Sequence, residues 1–589
     1  MSEPLATYEW RTLPWRKLEV AVLKLQRRIY KASQAGDIRR VHKLQRLLLK
    51  SRATKLLAVR RVTQDNQGKH TAGIDGVKSL PPPQRLALAE RLGQLPTGRP
   101  TRRVWIPKPG KAERRPLGIP TLHDRALQAL VKLAMEPEWE ARFEPNSYGF
   151  RPGRSVHDAI GAIFMAISKQ PKYVLDADIA KCFDRIDHDA LLRKTATPPH
   201  LRRLLHTWLK AGVLDQEMFA ETEVGTPQGA VASPLLANIA LHGVEDHLRA
   251  QFPAKARCGP PGERIQVGWK PQIIRYGDDF VVLHRDKLVI QQCQHLVEEW
   301  LQGVGLELNR EKTRMTHTLE PEGGQAGFNF LGFDIRQHPV SRYNAKRGFK
   351  TLIKPSQEAI KRHDAQLRTM IAENKAARQA NLIGRLNPVI AGWSHYYSAV
   401  VSKAVFQHLD NRLYLRLARW ARDRHPRKSR HWSAQRYWRT DQGHGWVFAT
   451  HDGLALNRHA DVPIVRHCKV RDTASPFNGD WRYWAARRGR YPGIPRRVAV
   501  LLKRQGGRCH HCGLFFTPQA LLEVHHVNRD HRTNASNNLA AVHRHCHDQI
   551  HGGRREHSSK QGAHDRSPID RGAVCRESGT HGFEDQRGE

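Results

Sequence analysis

Ile273-Ile274-Arg275-Tyr276-Gly277-Asp278-Asp279-Phe280-Val281-Val282-Leu283 is the stretch on which the reading of this chain turns. Two short β-prone runs flank a glycine-containing turn, which predicts a hairpin with adjacent carboxylates at its tip. Neighbouring aspartates repel each other, so an otherwise apolar hairpin that carries them calls for a counter-ion. A divalent cation supplies one, and a pair of cations can clamp both oxygens of an in-line phosphoryl displacement. The tetrapeptide alone suits a solvated turn equally well, so the rest of the chain has to decide.

The chain has 589 residues, enough for three or four domains. Lys and Arg outnumber Asp and Glu by 98 to 56, a formal charge of +42, which implies a polyanionic partner and nucleic acid first. No apolar run approaches the roughly 18 residues of a membrane span. The opening Met1-Ser2-Glu3-Pro4 shows no secretory signal. A cytoplasmic protein without a membrane partner is the expectation. Of the eight cysteines, Cys509, Cys512 and Cys546 cluster with histidines, which points to metal rather than disulfide chemistry.

Residues 16–62 carry Leu, Ala, Lys and Arg at helical spacing and predict basic helices. Residues 101–340 alternate short β runs with helices, an α+β pattern, with an amphipathic helix over Asp124 to Glu140 and a strand over Tyr173 to Ile179. Residues 356–425 read as helical, interrupted at Asn387-Pro388. Between 416 and 439, nine Arg/Lys stand against one acid, Asp423, interleaved with Trp420, Trp432, Tyr437 and Trp438. That mixture suits phosphate contacts with base stacking, or else a solvated basic helix face. The polar, Gly/Arg/His-rich end of the chain is expected to be disordered.

Asp178 ends a strand and opens Asp178-Ile179-Ala180-Lys181-Cys182-Phe183-Asp184, which makes it the natural third ligand beside Asp278 and Asp279. Asp176, two residues earlier on the same strand face, competes, and a helix N-cap is the plainer role for Asp178. Gly225-Thr226-Pro227-Gln228-Gly229-Ala230-Val231-Ala232-Ser233-Pro234-Leu235-Leu236-Ala237-Asn238 is a glycine-rich turn entering a helix of small residues, where backbone can approach a ligand closely.

In order along the chain stand Arg114-Arg115-Pro116-Leu117-Gly118-Ile119-Pro120, Tyr148-Gly149-Phe150-Arg151-Pro152-Gly153-Arg154-Ser155, Asp178 to Asp184, Gly225 to Asn238, Tyr276 to Asp279, Gly305-Leu306-x-Leu308-Asn309-x-x-Lys312-Thr313 and Phe330-Leu331-Gly332-Phe333. This ordered set resembles the reverse transcriptases, and among them the proteins encoded by bacterial group II introns. The resemblance implies a right-hand polymerase with fingers and palm, in which Asp178, Asp278, Asp279 and the carbonyl of Ile179 hold two Mg²⁺ ions. It implies that Phe183 excludes a ribose 2′-OH, that Gln228 lines the template–nucleotide pocket, and that Arg114 and Lys108 meet the incoming triphosphate. Gly277 departs from the alanine usual in the family, and tolerance with some added hairpin flexibility is expected there. Upstream, the pattern from Val59 to Gly76 resembles the family's N-terminal extension. Downstream, the pattern from Leu382 to Tyr397 resembles its helical maturase or thumb region, although Trp393, Tyr396 and Tyr397 also suit a core.

Cys509-x-x-Cys512 and His543-x-x-Cys546, two chelating pairs some thirty residues apart, read as a tetrahedral Zn²⁺ staple for a module with little core. Glu523-Val524-His525-His526, Asn538 and His547-x-x-x-His551 make this segment resemble an HNH nuclease of ββα-metal fold. That resemblance implies His526 as general base and His525, His547 and His551 as ligands of a catalytic divalent metal, with Mg²⁺ favoured. It also implies Asn538, with Asn537 as an adjacent competitor, holding the hairpin loop. His543 stands where many such nucleases have a fourth cysteine, and a structural zinc knuckle is the plainer reading of the module.

The expected organisation is a basic helical extension over 1–85, fingers and palm over 86–340, the maturase/thumb unit over 341–425, a basic DNA-binding region over 426–500, the HNH module with its zinc site over 501–555, and a disordered tail over 556–589. The resemblance implies an RNA-directed DNA polymerase that binds intron RNA, assists its splicing, takes dNTPs and nicks target DNA to prime copying, in a bacterial cytoplasm and at the nucleoid when DNA-bound. Self-association stays open. An RNA chaperone with a decayed polymerase is disfavoured by the intact carboxylates. A domesticated defence-type enzyme is disfavoured by the maturase and HNH patterns, and an RNA-dependent RNA polymerase by Phe183.

Overall fold

The structure, a computed structural model, describes residues 10–94, 97–107, 114–215, 218–258, 265–322, 324–343, 345–441, 445–492, 494–517, 520–528, 530, 533 and 535–552. Lys108 and the expected tail 556–589 lie outside the described residues. The basic N-terminal segment forms helices α1 (Trp15–Gln34), α2 (Ile38–Lys50) and α3 (Arg52–Arg60). Asp37 caps α2 by accepting from the Arg40 amide at 2.9 Å, satisfying one of the otherwise unpaired first-turn donors. The apolar stripes of α1 and α2, with Ile29, Val41, Leu44 and Leu48 fully buried, close over Ala134 of α4 (Leu122–Glu140).

The helix expected over Asp124 to Glu140 is present as α4, without the solvent-facing polar side that an amphipathic pattern implies. It is buried on almost every side, and its acidic residues survive there because each is paired. Glu140 takes a bidentate bond from Arg151 at 2.9 and 3.1 Å, Glu138 accepts from Gln45 at 2.7 Å, and Glu136 lies 3.6 Å from Lys132.

Two sheets follow. Strands β1 (Thr101–Pro107) and β2 (Arg114–Ile119) pair antiparallel, and β1 continues in parallel onto β4 (Val213–Asp215), which hairpins with β5 (Met218–Ala220). The central sheet runs β8 (Arg314–His317), β3 (Tyr173–Asp178), β7 (Asp279–His284), β6 (Gln272–Tyr276), antiparallel throughout. The hairpin strands β6 and β7 are buried on both faces over most of their length, which explains the apolar runs Ile273-Ile274 and Phe280 to Leu283. Leu175, Ala177, Ile273, Phe280 and Val282 join the core of α4, α6 (Ser233–Leu241) and α7 (Lys287–Gln302). Val174, Ile274, Val281 and Leu283 face a second core with α5 (Val156–Ile167) and the strands β9 (Phe328–Phe330), β10 (Phe333–Pro339) and β11 (Phe349–Pro355).

Helices α8 (Gln357–Glu373), α9 (Gln379–Tyr397) and α10 (Lys403–Arg424) form a bundle around Leu367, Leu382, Leu386, Leu413 and Trp420. The hydroxyls of Tyr396 and Tyr397 donate to the carbonyls of Leu331 and Gly332, each at 3.1 Å, so this part of the maturase-like pattern fastens α9 to the β9–β10 turn. The base-stacking role expected of Trp420, Tyr437 and Trp438 does not hold in this structure. Their exposures are 3%, 6% and 5%, because the rings build the core of the bundle and its β-hairpin. Trp432 is half-buried beside Lys428. Farther on, Val470, Ala474 and Trp484 pack into the core beneath the central sheet, and α11 (Trp481–Arg488) joins Arg487 to the buried Asp158 of α5. Helix α12 (Arg496–Arg504) then leads into a small unit with β12 (Leu522–His526), β13 (Leu539–His543) and α13 (Arg544–Gly552).

Candidate functional site

The β6–β7 hairpin closes with the pair Tyr276–Asp279, leaving Gly277 and Asp278 as a two-residue turn. Gly277 has φ +68°, a value that glycine adopts at no steric cost. Asp279 stands directly opposite Asp178 on β3, and Asp176 follows on the same face. Like charges in directly opposed strand positions are unfavourable, and the titration of the group reflects it. Burial first, then Asp278, Asp178 and Asp176, push Asp279 up to about 7. Burial and the neighbouring Asp178 raise Asp278 as well, and burial with Asp178, against the pull of Arg314, lifts Asp176 to about 6. One ammonium answers this charge directly: Lys312 Nζ lies 2.6 Å from Asp178 Oδ2. It is placed there by backbone pairing, since Asn309 N donates to Asp178 O at 2.8 Å and Leu308 bridges to Ile179. Clustered, half-buried carboxylates are the donor set that hard divalent ions require. The carboxylates of Asp178, Asp278 and Asp279 therefore fit a hard divalent ion such as Mg²⁺.

The hairpin is held from behind. Arg275, 3% exposed, donates from Nη1 to Gly277 O at 3.2 Å and to Asn238 Oδ1 at 3.0 Å. Asn238 in turn donates from Nδ2 to Gly149 O at 2.8 Å. This clamp was not anticipated from the sequence, although a lone arginine inside an apolar strand must find partners and so carried a signal. Phe183 is half-buried and meets Phe150 edge to face at 6.1 Å. Gln228 donates to both oxygens of Asp184 at 3.2 and 3.3 Å, and its carbonyl accepts from Gly118 N at 2.7 Å, which ties the glycine-rich loop to β2. Gly225, with φ +88°, lies so close to Asp184 that a Cβ would sit 2.7 Å from its carbonyl carbon. Arg114 is exposed at the start of β2, whereas it is Arg115 whose charge is felt at Asp278 and Asp184.

A second constellation lies in the C-terminal unit. Ligand atoms of Cys509, Cys512, His543 and Cys546 converge within 4.8 Å, and all four residues are buried. Hydrogen bonds among the cysteines lower Cys509 towards thiolate and raise Cys546, so the group shares its protons; zinc, when bound, would hold the cysteines as thiolates. A separate group, His525, His547 and His551, also converges within 4.8 Å. His525 projects from β12, and His547 and His551 stand one turn apart on α13, rings 4.4 Å from centre to centre. Burial, then His547 and His551, depress His525 to about 4, keeping its lone pair free at neutral pH. His526, next along β12, projects to the other strand face and is half-buried. Asn538 is buried. It donates to Thr533 O at 2.8 Å and Asp530 O at 3.2 Å and accepts from Asn528 N at 2.9 Å, while Asn537 is exposed.

The unit is anchored at two places. Trp484 of α11 packs on Gly153, where a Cβ would be 2.4 Å from its ring, while Arg488 donates to the carbonyls of Thr517 and Ala520. On the far side, His545 Nε2 lies 3.6 Å from Glu19 of α1, and Gln549 donates to Leu13 O at 3.3 Å.

Comparison with known proteins finds three family models along the chain: N-terminal domain of reverse transcriptase over residues 10–92, Reverse transcriptase (RNA-dependent DNA polymerase) over 106–335, and Group II intron, maturase-specific domain over 360–438. Protein YkfC of Escherichia coli K12 is 32% identical over 364 residues, 56% of this chain and 92% of that protein. Group II intron-encoded protein LtrA of Lactococcus lactis subsp. cremoris is 30% identical over 289 residues, 40% of this chain and 47% of LtrA. Maturase-like protein 1 of Euglena gracilis is 30% identical over 247 residues, 39% of this chain and 51% of that protein. The chain thus spans about half the length of the last two. Among the described residues, no helix is long and apolar enough to cross a membrane.

Proposed function

The chain belongs to the group II intron reverse transcriptase and maturase family, and from that premise we propose that it unites three activities: RNA-directed DNA synthesis in the palm, assistance to intron RNA splicing, and nicking of a DNA target by the C-terminal unit acting as an HNH endonuclease. The opposed pair Asp178–Asp279 with Asp278 in the turn is the observation that carries the reading. Metal bound there would supply Lewis-acid stabilisation of the attacking and leaving oxygens. Arg275 and Asn238 fix the turn, so the carboxylates are presented without reorganisation. Lys312 holds Asp178 in one orientation. By the family resemblance Phe183 would exclude a sugar 2′-OH, Gln228, which donates to Asp184, would line the template–nucleotide pocket, and Arg114 with Lys108 would meet the incoming triphosphate. The maturase activity needs no catalytic side chain, because binding energy holds the RNA in its active fold.

In the C-terminal unit, His525, His547 and His551 would hold the nuclease divalent ion through three imidazole nitrogens, which suit a transition metal better than the Mg²⁺ expected from the sequence, and Cys509, Cys512, His543 and Cys546 would hold a structural Zn²⁺. His526 takes the proton from the attacking water, and Asn538 keeps the loop between β12 and β13 in place. The nick yields a 3′-OH, the terminus that the palm extends on the intron RNA template. Partners are therefore intron RNA, target DNA and dNTPs, met in a bacterial cytoplasm and at the nucleoid.

The test is incubation of the protein–intron RNA particle with target DNA, Mg²⁺ and dNTPs. Asp278→Ala should still nick but extend no primer, and His526→Ala should lose nicking yet extend a pre-nicked target. Near-normal extension by Asp278→Ala would remove the palm assignment, and continued nicking by His526→Ala the nuclease assignment.

A further inference from the structure

Phe150 is one of four non-glycine residues with left-handed φ among the described residues, at +61°. Such a conformation persists only where the surroundings enforce it. Here they do. Tyr148 N donates to Arg275 O at 2.8 Å, Arg275 N to Asn146 O at 2.9 Å, and Asn238 Nδ2 to Gly149 O at 2.8 Å. The segment therefore lies along the end of β6, and Gly149 comes so near the hairpin that a Cβ on it would stand 2.3 Å from Gly277 N. The left-handed turn at Phe150 then brings its ring to two places at once. Its Cε2 is 2.8 Å from where a Cβ on residue 277 would be, and the ring meets Phe183 edge to face at 6.1 Å and 81°.

The geometry points to Phe150 as the positioning residue of the sugar gate: its ring sets where Phe183 stands. Phe150 thus links the metal hairpin to the ring that discriminates deoxyribose from ribose. This rests on the reading of Phe183 as the residue that excludes the 2′-OH.

The test measures kcat/KM for single-nucleotide addition with dNTP and with rNTP. Phe183→Val should collapse the preference for dNTP. Phe150→Gly keeps the backbone conformation and removes the ring, and should lower that preference by about 3- to 10-fold, the scale of one edge-to-face contact, chiefly through a lower KM for rNTP. Phe150→Leu, which keeps apolar volume without the ring edge, should shift the ratio in the same direction and serves if the glycine variant folds poorly. Collapse of the preference in Phe183→Val with wild-type ratios in both Phe150 variants would overturn the inference while leaving the gate intact. An unchanged preference in Phe183→Val would overturn the gate itself, and the inference with it.

Discussion

Removing one charge from the palm cluster should stabilise the metal-free protein. Asp279→Asn preserves shape at the position opposite Asp178 but cannot ionise. The native carboxyl is pushed to about 7 from an ordinary 3.8, by burial first and then by Asp278, Asp178 and Asp176. A carboxyl raised on folding binds more protons than the unfolded chain between those two pH values. Folding stability is therefore intact below the lower value and declines as pH rises to the upper one. At 1.36 kcal/mol per pH unit the full shift is worth about 4 kcal/mol, and partial exposure and shared repulsion reduce the working figure to about 2 kcal/mol. In EDTA at pH 8, Asp279→Asn should melt higher than wild type by on the order of 5 °C, with a smaller gap at pH 5.5. Mg²⁺ at pH 8 should raise the wild-type midpoint more than that of the variant. The assay is thermal unfolding followed by circular dichroism at both pH values with either additive. An Asp279→Asn protein no more stable than wild type in EDTA at pH 8, or a gap independent of pH, would refute the electrostatic account of the site.

Glu140→Ala would leave the Arg151 guanidinium buried with only the carbonyls of Glu144 and Ser147, each at 2.8 Å, as partners. It should cost about 3–5 kcal/mol in urea unfolding, and a midpoint equal to wild type would contradict the paired-charge description of α4. Zinc withdrawal by a strong chelator should expose Cys509, Cys512 and Cys546 to a thiol reagent and make residues after Gln505 sensitive to protease while RNA-templated synthesis persists. Unchanged thiol reactivity after metal loss would argue against a zinc staple.

Much of the site was legible in the sequence because its signals are local. The turn at Gly277-Asp278, the Cys509-x-x-Cys512 pair and the His547-x-x-x-His551 spacing each depend on short-range geometry, which the chain carries with it. Other features depend on what covers a segment from afar. Trp420, Tyr437 and Trp438, rings beside cations in sequence, read as a stacking platform, yet they close a core because α8, α9 and the hairpin after α10 meet around them. The acids of α4 read as a polar face until Arg151 and Gln45 arrive from other parts of the chain.

The sequence by itself determined the chemistry on offer: paired carboxylates, a cysteine and histidine ligand set, and a surplus of positive charge fit for nucleic acid. Only the tertiary structure decided how those groups are aimed. Asp178 comes opposite Asp279 through strand register, Lys312 reaches Asp178 across more than a hundred residues, and Arg275 and Asn238 brace the turn from behind. Phe150 comes to lie between Gly277 and Phe183 in the same way. The reason is physical. Periodicity and motif spacing encode contacts within one element, whereas the neutralisation of a buried charge and the support of a ring are settled between elements, by whichever distant residue packing brings within bonding distance.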